Sequence, residues 1–263
     1  MEENEIRRAN RAALPKLLLF MVLCLAVGGT AGYFAARYGL NTLTGNLKSA
    51  GAFFGTNIAP WLLLAVAVLS PAVCFSVYLG AKKRIAAWDG ENETVYGEID
   101  RRLSAASWIS ASALVLSYFL LAAAYSGGFA IFESGRMTVL YFLAIAAFFA
   151  VIIETLLLGQ KCVDAAKRIN PEKKASFYDM KFQKKWVEDC DEAEKILIGR
   201  CAYRAYRVTN QVCAVLAGVF ALGALLFDIG FLPSLAVCII WIVSQPAYCR
   251  EALKYSKSGN RLS

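Results

Sequence analysis

The sequence predicts an all-α polytopic membrane protein, with six transmembrane helices in three hairpins and a helical cytoplasmic segment between helices 4 and 5. Three observations carry that reading. The 263 residues are 58% hydrophobic, beyond the roughly half-apolar composition of soluble domains, and mean hydropathy is +0.50. The apolar residues are gathered in blocks long enough to cross a hydrocarbon core of about 30 Å at about 1.5 Å per residue. A membrane barrel would instead show short alternating segments. Finally, Lys and Arg alternate between rich and poor connections, as expected of a chain threaded back and forth through a bilayer.

Taken in order, Met1 to Lys16 is a polar arm, and Leu17 to Ala36 is the first apolar run. A basic arm before such a run resembles a signal peptide, but the run is too long for a signal core, so a retained helix is expected. Gly28 and Gly32 form a G-x-x-x-G pair that admits a neighbouring backbone. Packing within the chain is its expected use, and a homo-oligomer is compatible with it. Arg37 to Asn57 reads as a loop. The second helix is expected over Ile58 to Leu79, with Pro60 in its first turn and Pro71 as an internal kink. The third spans Leu103 to Tyr125 and the fourth Met137 to Leu158, joined by a turn over Ser126 to Arg136. The fifth, Val208 to Phe227, meets the sixth, Phe231 to Tyr248, at Asp228-Ile229-Gly230, and a frayed basic tail runs from Arg250.

The organisation is therefore 1–160 for helices 1 to 4 with the arm, 161–207 for the cytoplasmic helical segment, and 208–263 for helices 5 and 6 with the tail. Of 28 Lys and Arg, all but Arg37, Lys48 and Arg136 fall on one side. The positive-inside rule puts that side, with both termini and the long segment, in the cytoplasm. The net charge of +8 thus reports orientation in a lipid bilayer, and no nucleic-acid partner is expected. Ala81-Lys82-Lys83-Arg84-Ile85 after helix 2 resembles Ala165-Ala166-Lys167-Arg168-Ile169 after helix 4, a faint sign of repeated hairpins.

In the segment, helix 4 is expected to run on to Ile169, where Asn170-Pro171 stops it and starts another helix, with Asn170 as cap. Trp186, Cys190, Ala193, Leu197 and Cys201 recur at helical spacing and read as one face of a stem leading into helix 5. Asp191 and Lys195 read as an i, i+4 ion pair. Trp186, Asp189, Asp191, Glu192 and Glu194 are the candidate docking residues for a protein partner at the cytoplasmic face. A solvated helix face is the plainer reading, and no metal site is expected because carboxylates on one helix diverge. The pattern Trp186-x-x-x-Cys190-Asp191-Glu192-x-Glu194 between a fourth and fifth membrane helix resembles an uncharacterised family of bacterial six-helix integral membrane proteins. The hydropathy layout over nearly the whole chain is similar too. The resemblance implies that topology and a bacterial plasma membrane, and it implies no activity.

Histidine is absent, which removes the commonest general base and metal ligand. Eight cysteines form no C-x-x-C pair and read as small packing residues in a reducing setting. No phosphate-binding G-x-x-x-x-G-K-[ST] sequence occurs. No cofactor is expected. Glu154 is the one acidic residue inside an expected span, and burial there is costly without a partner. With Ser107, Gln211 and Gln245 it could line a vestibule open to the cytoplasm. The duller alternative pairs Glu154 with Arg204 or Arg207 and gives Ser104, Ser107, Ser110 and Ser117 to close packing. Two functions follow. The first is a non-enzymatic accessory, immunity or sensory subunit docking a partner through the cytoplasmic segment; the alternative is a small permease or channel with its vestibule near Glu154. An enzyme is the weakest reading, since Glu154 alone does not supply both acid and base.

Overall fold

A computed structural model describes residues 41–126, 134–227 and 229–257, with nine residues between Pro15 and Arg37. The described residues contain helices and no strand. In order these are α1 (Asn41–Phe53), a π-helical turn (Phe54–Ile58), α2 (Ala59–Ala87), α3 (Glu93–Ala124), α4 (Gly135–Ile169), α5 (Phe182–Glu188), α6 (Glu192–Phe227) and α7 (Leu232–Lys257). Among them Lys48–Ala87, Glu93–Ala124, Gly135–Ile169 and Glu192–Ala224 are long and apolar enough to cross a membrane, and Leu232–Tyr248 is a shorter apolar helix. That set suggests a multi-pass helical membrane protein. Of the first expected span, Leu19, Val22, Leu23, Ala26, Gly29, Thr30 and Tyr33 are helical; the Gly28–Gly32 pair lies outside the described residues, as do positions 127–133 of the turn before α4.

The chain forms two compact units, one over Lys48–Cys201 and one made of residues up to Leu47 and from Ala202 onward. In the first, α2, α3 and α4 pack against one another in all three pairings. Small side chains let them approach: Cys74, Ala81, Ala106, Cys162 and Ala165 share one buried cluster with Ile99, Leu103 and Leu158. Ala59, Ala144 and Ala147 share another with Leu63, Leu120 and Phe148. Between helices in lipid, close van der Waals contact and internal hydrogen bonds are the available glue. Ser110 is buried and donates to Thr155 Oγ1 at 3.2 Å, tying α3 to α4. Large apolar residues such as Val68, Trp108, Val115 and Phe119 face outward on the spans.

Several elements outrun their expected bounds. The expected loop over Arg37 to Asn57 is helical from Asn41. No proline interrupts it before Pro60, and Thr56 Oγ1 and Asn57 Nδ2 turn back onto the carbonyls of Ala52 and Phe53. The π turn buries Gly55, where an added Cβ would lie 2.1 Å from Ser126 Oγ and 2.3 Å from the Ala123 carbonyl oxygen. A side chain there cannot coexist with α3 at this separation. α3 begins ten residues before Leu103 because Asn92 Oδ1 caps it, accepting from the amides of Thr94 and Val95. The preceding turn uses Gly90 at φ +89° and Asp89 Oδ1, which accepts from the amides of Glu91 and Asn92. Pro71 sits inside an unbroken α2, and α7 continues to Lys257 where a frayed tail was the expectation.

In the second unit α6 and α7 meet through Tyr206 and Tyr248, stacked at 4.8 Å, and Tyr206 Oη donates to Gln245 Oε1 at 3.3 Å. Gly230 takes φ +72° at the turn between them, a backbone state natural to glycine.

Replacing Gly55 with Ala is expected to destabilise the protein by about 1–3 kcal/mol through overpacking. Gly97 in α3 has open space around its Cβ position, so Gly97→Ala should stabilise by about 0.5–1 kcal/mol. Thermal unfolding of both variants in detergent checks this; equal midpoints would remove the proposed close approach at Gly55.

Candidate functional site

The segment between α4 and α6 folds into a compact knot around one buried cation. α4 ends at Ile169, as Asn170-Pro171 predicts, but no helix starts at Pro171, correcting the expected capped helix there. The chain turns at Pro171-Glu172 and runs without helix to Lys181. Side chains replace the helical hydrogen bonds. Asp189 Oδ2 accepts from the amides of Lys174 at 2.7 Å and Ala175 at 3.2 Å. Gln160 Oε1 accepts from the Phe177 amide at 2.9 Å and from Ser176 Oγ at 3.2 Å. Tyr96 Oη donates to Asn170 Oδ1 at 3.2 Å, fastening the turn to α3. The Phe177 ring lies over Gly159, where a Cβ would be 2.5 Å from it. Phe177, Phe182 and Trp186 continue as a row of rings with centroids 5.4 and 5.6 Å apart.

Lys173 is the centre. Its side chain is 2% exposed, and its ammonium donates to Glu194 Oε2 at 2.5 Å and to Cys190 Sγ at 3.2 Å. It also sits 5.1 Å from the centre of the Trp186 ring. A buried ammonium is costly unless paired and hydrogen-bonded, and here a carboxylate, a thiol and a ring face supply the replacement for water. Asp100 on α3 lies close enough to sense both charges. Burial by itself pulls the Lys173 ammonium down, but the hydrogen bonds to Glu194 and Cys190 and the Glu194 charge outweigh it, holding Lys173 above the usual lysine value. Burial pushes the Cys190 thiol up, with Lys173 opposing.

The acidic run is spent on this knot, and it is not one helical face. α5 ends at Glu188 and α6 starts at Glu192, so Trp186 and Cys190 are separated from Ala193, Leu197 and Cys201 by a break. Cys190 is buried and Trp186 half-buried, whereas Leu197 and Cys201 are exposed. The break is built by a capping box: Asp191 Oδ1 accepts from the Glu194 amide at 2.7 Å, and Glu194 Oε2 accepts from the Asp191 amide at 3.3 Å. Asp191 therefore does not pair with Lys195 as its spacing predicts. Glu192 does, at 3.1 Å. Of the five candidate docking residues, four are hydrogen-bonded or ion-paired in the knot: Asp189, Asp191 and Glu194 inside it and Glu192 on its exposed side. Trp186 faces Lys173.

The intramembrane candidates separate. Glu154 on α4 is buried; Oε2 accepts from Ser70 Oγ of α2 at 2.9 Å, and Oε1 is buried with no hydrogen-bond partner among the described residues. Ser70 Oγ lies 4.0 Å from Cys74 Sγ, completing a small polar island between α2 and α4. Ser107 is exposed and borders Cys162. Ser110 and Ser117 are buried and Ser104 exposed, so the serine face of α3 is split. Gln211 and Gln245 belong to the other compact unit, where both are exposed and Gln245 receives the Tyr206 hydroxyl. Cys74, Cys162, Cys190, Cys201, Cys213 and Cys238 are free, and no group of three or more Cys, Asp or Glu able to hold a metal ion occurs among the described residues.

A family model described as "Protein of unknown function (DUF3169)" matches residues 11–251. The chain belongs to that family. No curated protein and no solved structure matches it. The resemblance drawn from Trp186 to Glu194 thus rests, within this family, on residues whose visible work is to fold the knot.

Lys173, Gln160 and Gly159 carry the knot yet left no mark in the reading of the sequence. Lys173 stands beside Lys174 and reads as one of two solvated lysines. The Asp191-x-x-Glu194 spacing was the usable signal, since a capping box marks a helix start and hence a break before it.

Removing either partner of the ion pair should have unequal effects. Glu194→Gln strands a buried ammonium and is expected to cost about 3 kcal/mol of local stability. Lys173→Met leaves a carboxylate whose side chain is 36% exposed and can hydrate, so about 1 kcal/mol is expected. Because the folded value of Lys173 is raised, its contribution is complete below about pH 10.4 and is lost as pH rises through the higher folded value. Hydrogen exchange over residues 171–191 checks both statements; equal losses, or protection that vanishes near neutral pH, would contradict them.

Proposed function

We propose that this chain is a non-enzymatic integral membrane protein, an accessory, immunity or sensory subunit that docks a partner protein through residues 161–207. On this reading six helices cross a bacterial plasma membrane as three hairpins, with both termini and the segment in the cytoplasm. The asymmetry of Lys and Arg between alternate connections supports that orientation. One observation carries the docking role: the knot is rigidified from within yet presents bare apolar side chains. Tyr178 is 58% exposed and Met180 fully so, on a stretch held by Asp189, Gln160 and the Asp179–Lys185 ion pair. Outside a span, an ordered loop carrying exposed Tyr and Met has the anchor chemistry of protein interfaces. The acidic side chains then act as scaffold, and the contact falls to Tyr178 and Met180.

A photo-crosslinking residue placed at Met180 in cells is expected to give one discrete protein adduct, lost when Tyr178→Ala is added. The same residue at Val115, on the lipid side of α3, is the control. Adducts that are absent at Met180, or no more discrete than those at Val115, would defeat the docking role.

The permease reading keeps one observation in its favour, the unpartnered Oε1 of Glu154 beside Ser70. It requires that Glu154→Gln abolish solute or proton flux into proteoliposomes while leaving the thermal midpoint within a few degrees. Flux no greater than in empty liposomes for the unaltered protein would end that reading.

A further inference from the structure

The stretch of α6 from Tyr203 to Gln211 is built differently from the knot. Tyr203, Arg204, Arg207, Val208 and Gln211, all exposed, line an open groove of about 490 Å³ in the second compact unit. They fall at i, i+1, i+4, i+5 and i+8, so one helical face carries all of them. Neither Arg204 nor Arg207 has an ion pair among the described residues, and from Lys195 to Phe227 the sequence contains no Asp or Glu at all. This contrasts with the basic cavity of the first unit, where Arg84, Arg101 and Arg102 share their lining with Glu98, and Glu98 already pairs with Arg84. Two planar guanidinium forks one turn apart, with a phenol and an amide beside them, are donors that meet no carboxylate among the described residues. Such a set matches a phosphate, which takes two or more N–H donors at once.

Location narrows the source. After Arg207 come Val208 and one short polar stretch, Thr209-Asn210-Gln211, and from Val212 the helix is apolar, with Val212, Val215, Leu216 and Val219 in sequence. The arginines therefore stand where a spanning helix leaves hydrocarbon, at the depth of lipid phosphates, and tyrosines favour the same level. Basic residues at this boundary are drawn to anionic headgroups.

We propose that Arg204 and Arg207, assisted by Tyr203 and Gln211, form a binding site for the phosphate of an anionic phospholipid. Arg204 and Arg207 grip the phosphodiester oxygens, the Tyr203 hydroxyl donates to hydroxyls of the headgroup, Gln211 one turn deeper donates to the phosphate or the ester oxygens below it, and the apolar run from Val212 meets the acyl chains. The inference rests on α6 crossing a bilayer and is independent of any docking partner.

The test uses the full-length chain, purified in detergent and exchanged into nanodiscs of phosphatidylcholine with or without phosphatidylglycerol. Entry into both kinds of disc establishes membrane insertion, separately from headgroup choice. Native mass spectrometry of the detergent-solubilised protein then counts retained lipids. The expected result is retention of phosphatidylglycerol over phosphatidylcholine, weakened about tenfold or more in Arg204→Gln/Arg207→Gln. The same loss should not follow Lys184→Gln, a charge change on α5. Should the double variant fail to fold, a photoactivatable phosphatidylglycerol on the unaltered protein takes its place, and its label should map to residues 203–211. Equal retention of both lipids, retention unchanged in the double variant, or label spread evenly over the spans would overturn the proposal. Displacement of the lipid by millimolar glycerol phosphate would overturn the lipid as the source and assign the site to a free phosphate ester.

Discussion

Helices that share a hydrocarbon solvent gain little by hiding leucine from it, so what holds them together must be contact and hydrogen bonding. That constraint explains the choice of residues in the first unit. Cys74, Ala81, Ala106, Cys162 and Ala165 shape one buried seam and Ala59, Ala144 and Ala147 the other. Leu, Val, Phe and Trp are sent outward in numbers that a soluble domain would not tolerate. Glycine takes the same logic further at two places. Gly55 lets the π turn touch the backbone of α3, and Gly159 lets an aromatic ring from outside the apolar region settle on α4. The second contact, together with the hydrogen bonds of Gln160 and Tyr96, couples the three-helix core to the knot.

Within the knot the balance reverses, because here a cation is removed from water and everything near it is arranged to compensate. The ion pair of Lys173 with Glu194 joins the turn after α4 to the first turn of α6. Asp191 and Glu194 at the same time close the capping box, so one carboxylate serves both the tertiary contact and the helix start. An apolar pair of similar volume would often be as stable. What the charged pair adds is register: a one-residue shift of the start of α6 would carry Glu194 away from Lys173 and unmake the cap together. This is a device for placing a helix, and it accounts for why the acidic run is dense without being a free acidic surface.

The sequence made the helical class, the apolar runs and the stop at Asn170-Pro171 legible, because periodicity, length and proline chemistry are local properties. It misled wherever a tertiary partner decided the outcome. The residues from Asn41 to Asn57 look loop-like by their Gly, Asn and Thr content, yet Thr56 and Asn57 bond back to the helix and Gly55 is required by α3. Trp186 and Cys190 do fall on one face of α5 and its end, but the face stops there because Asp191 is a cap. Lys173 was invisible for a different reason. A lysine's burial depends on partners seventeen and twenty-one residues away, and no local spacing announces that. Glu154 was legible as an anomaly by its charge in an apolar run, but its partner, Ser70, lies eighty-four residues distant.

Among the described residues of the first unit, Lys173 and Glu154 are the buried lysine and carboxylate, and the protein treats them in opposite ways. Lys173 is given a carboxylate, a thiol and a ring, and its donors are met. Glu154 receives one hydroxyl on one oxygen, while its other oxygen is enclosed with none. Completing a hydrogen-bond set is cheap for a helical protein with serines and threonines to spare, as Thr155, one residue along α4, shows by accepting from Ser110 of α3. An incomplete set in a span therefore marks a position where packing alone gives no reason for a carboxylate. A glutamine could accept the Ser70 hydroxyl as the carboxylate does. The knot is a finished structural device, and in the first unit's described residues the island of Ser70, Cys74 and Glu154 holds a buried carboxylate oxygen whose hydrogen bonding is left open.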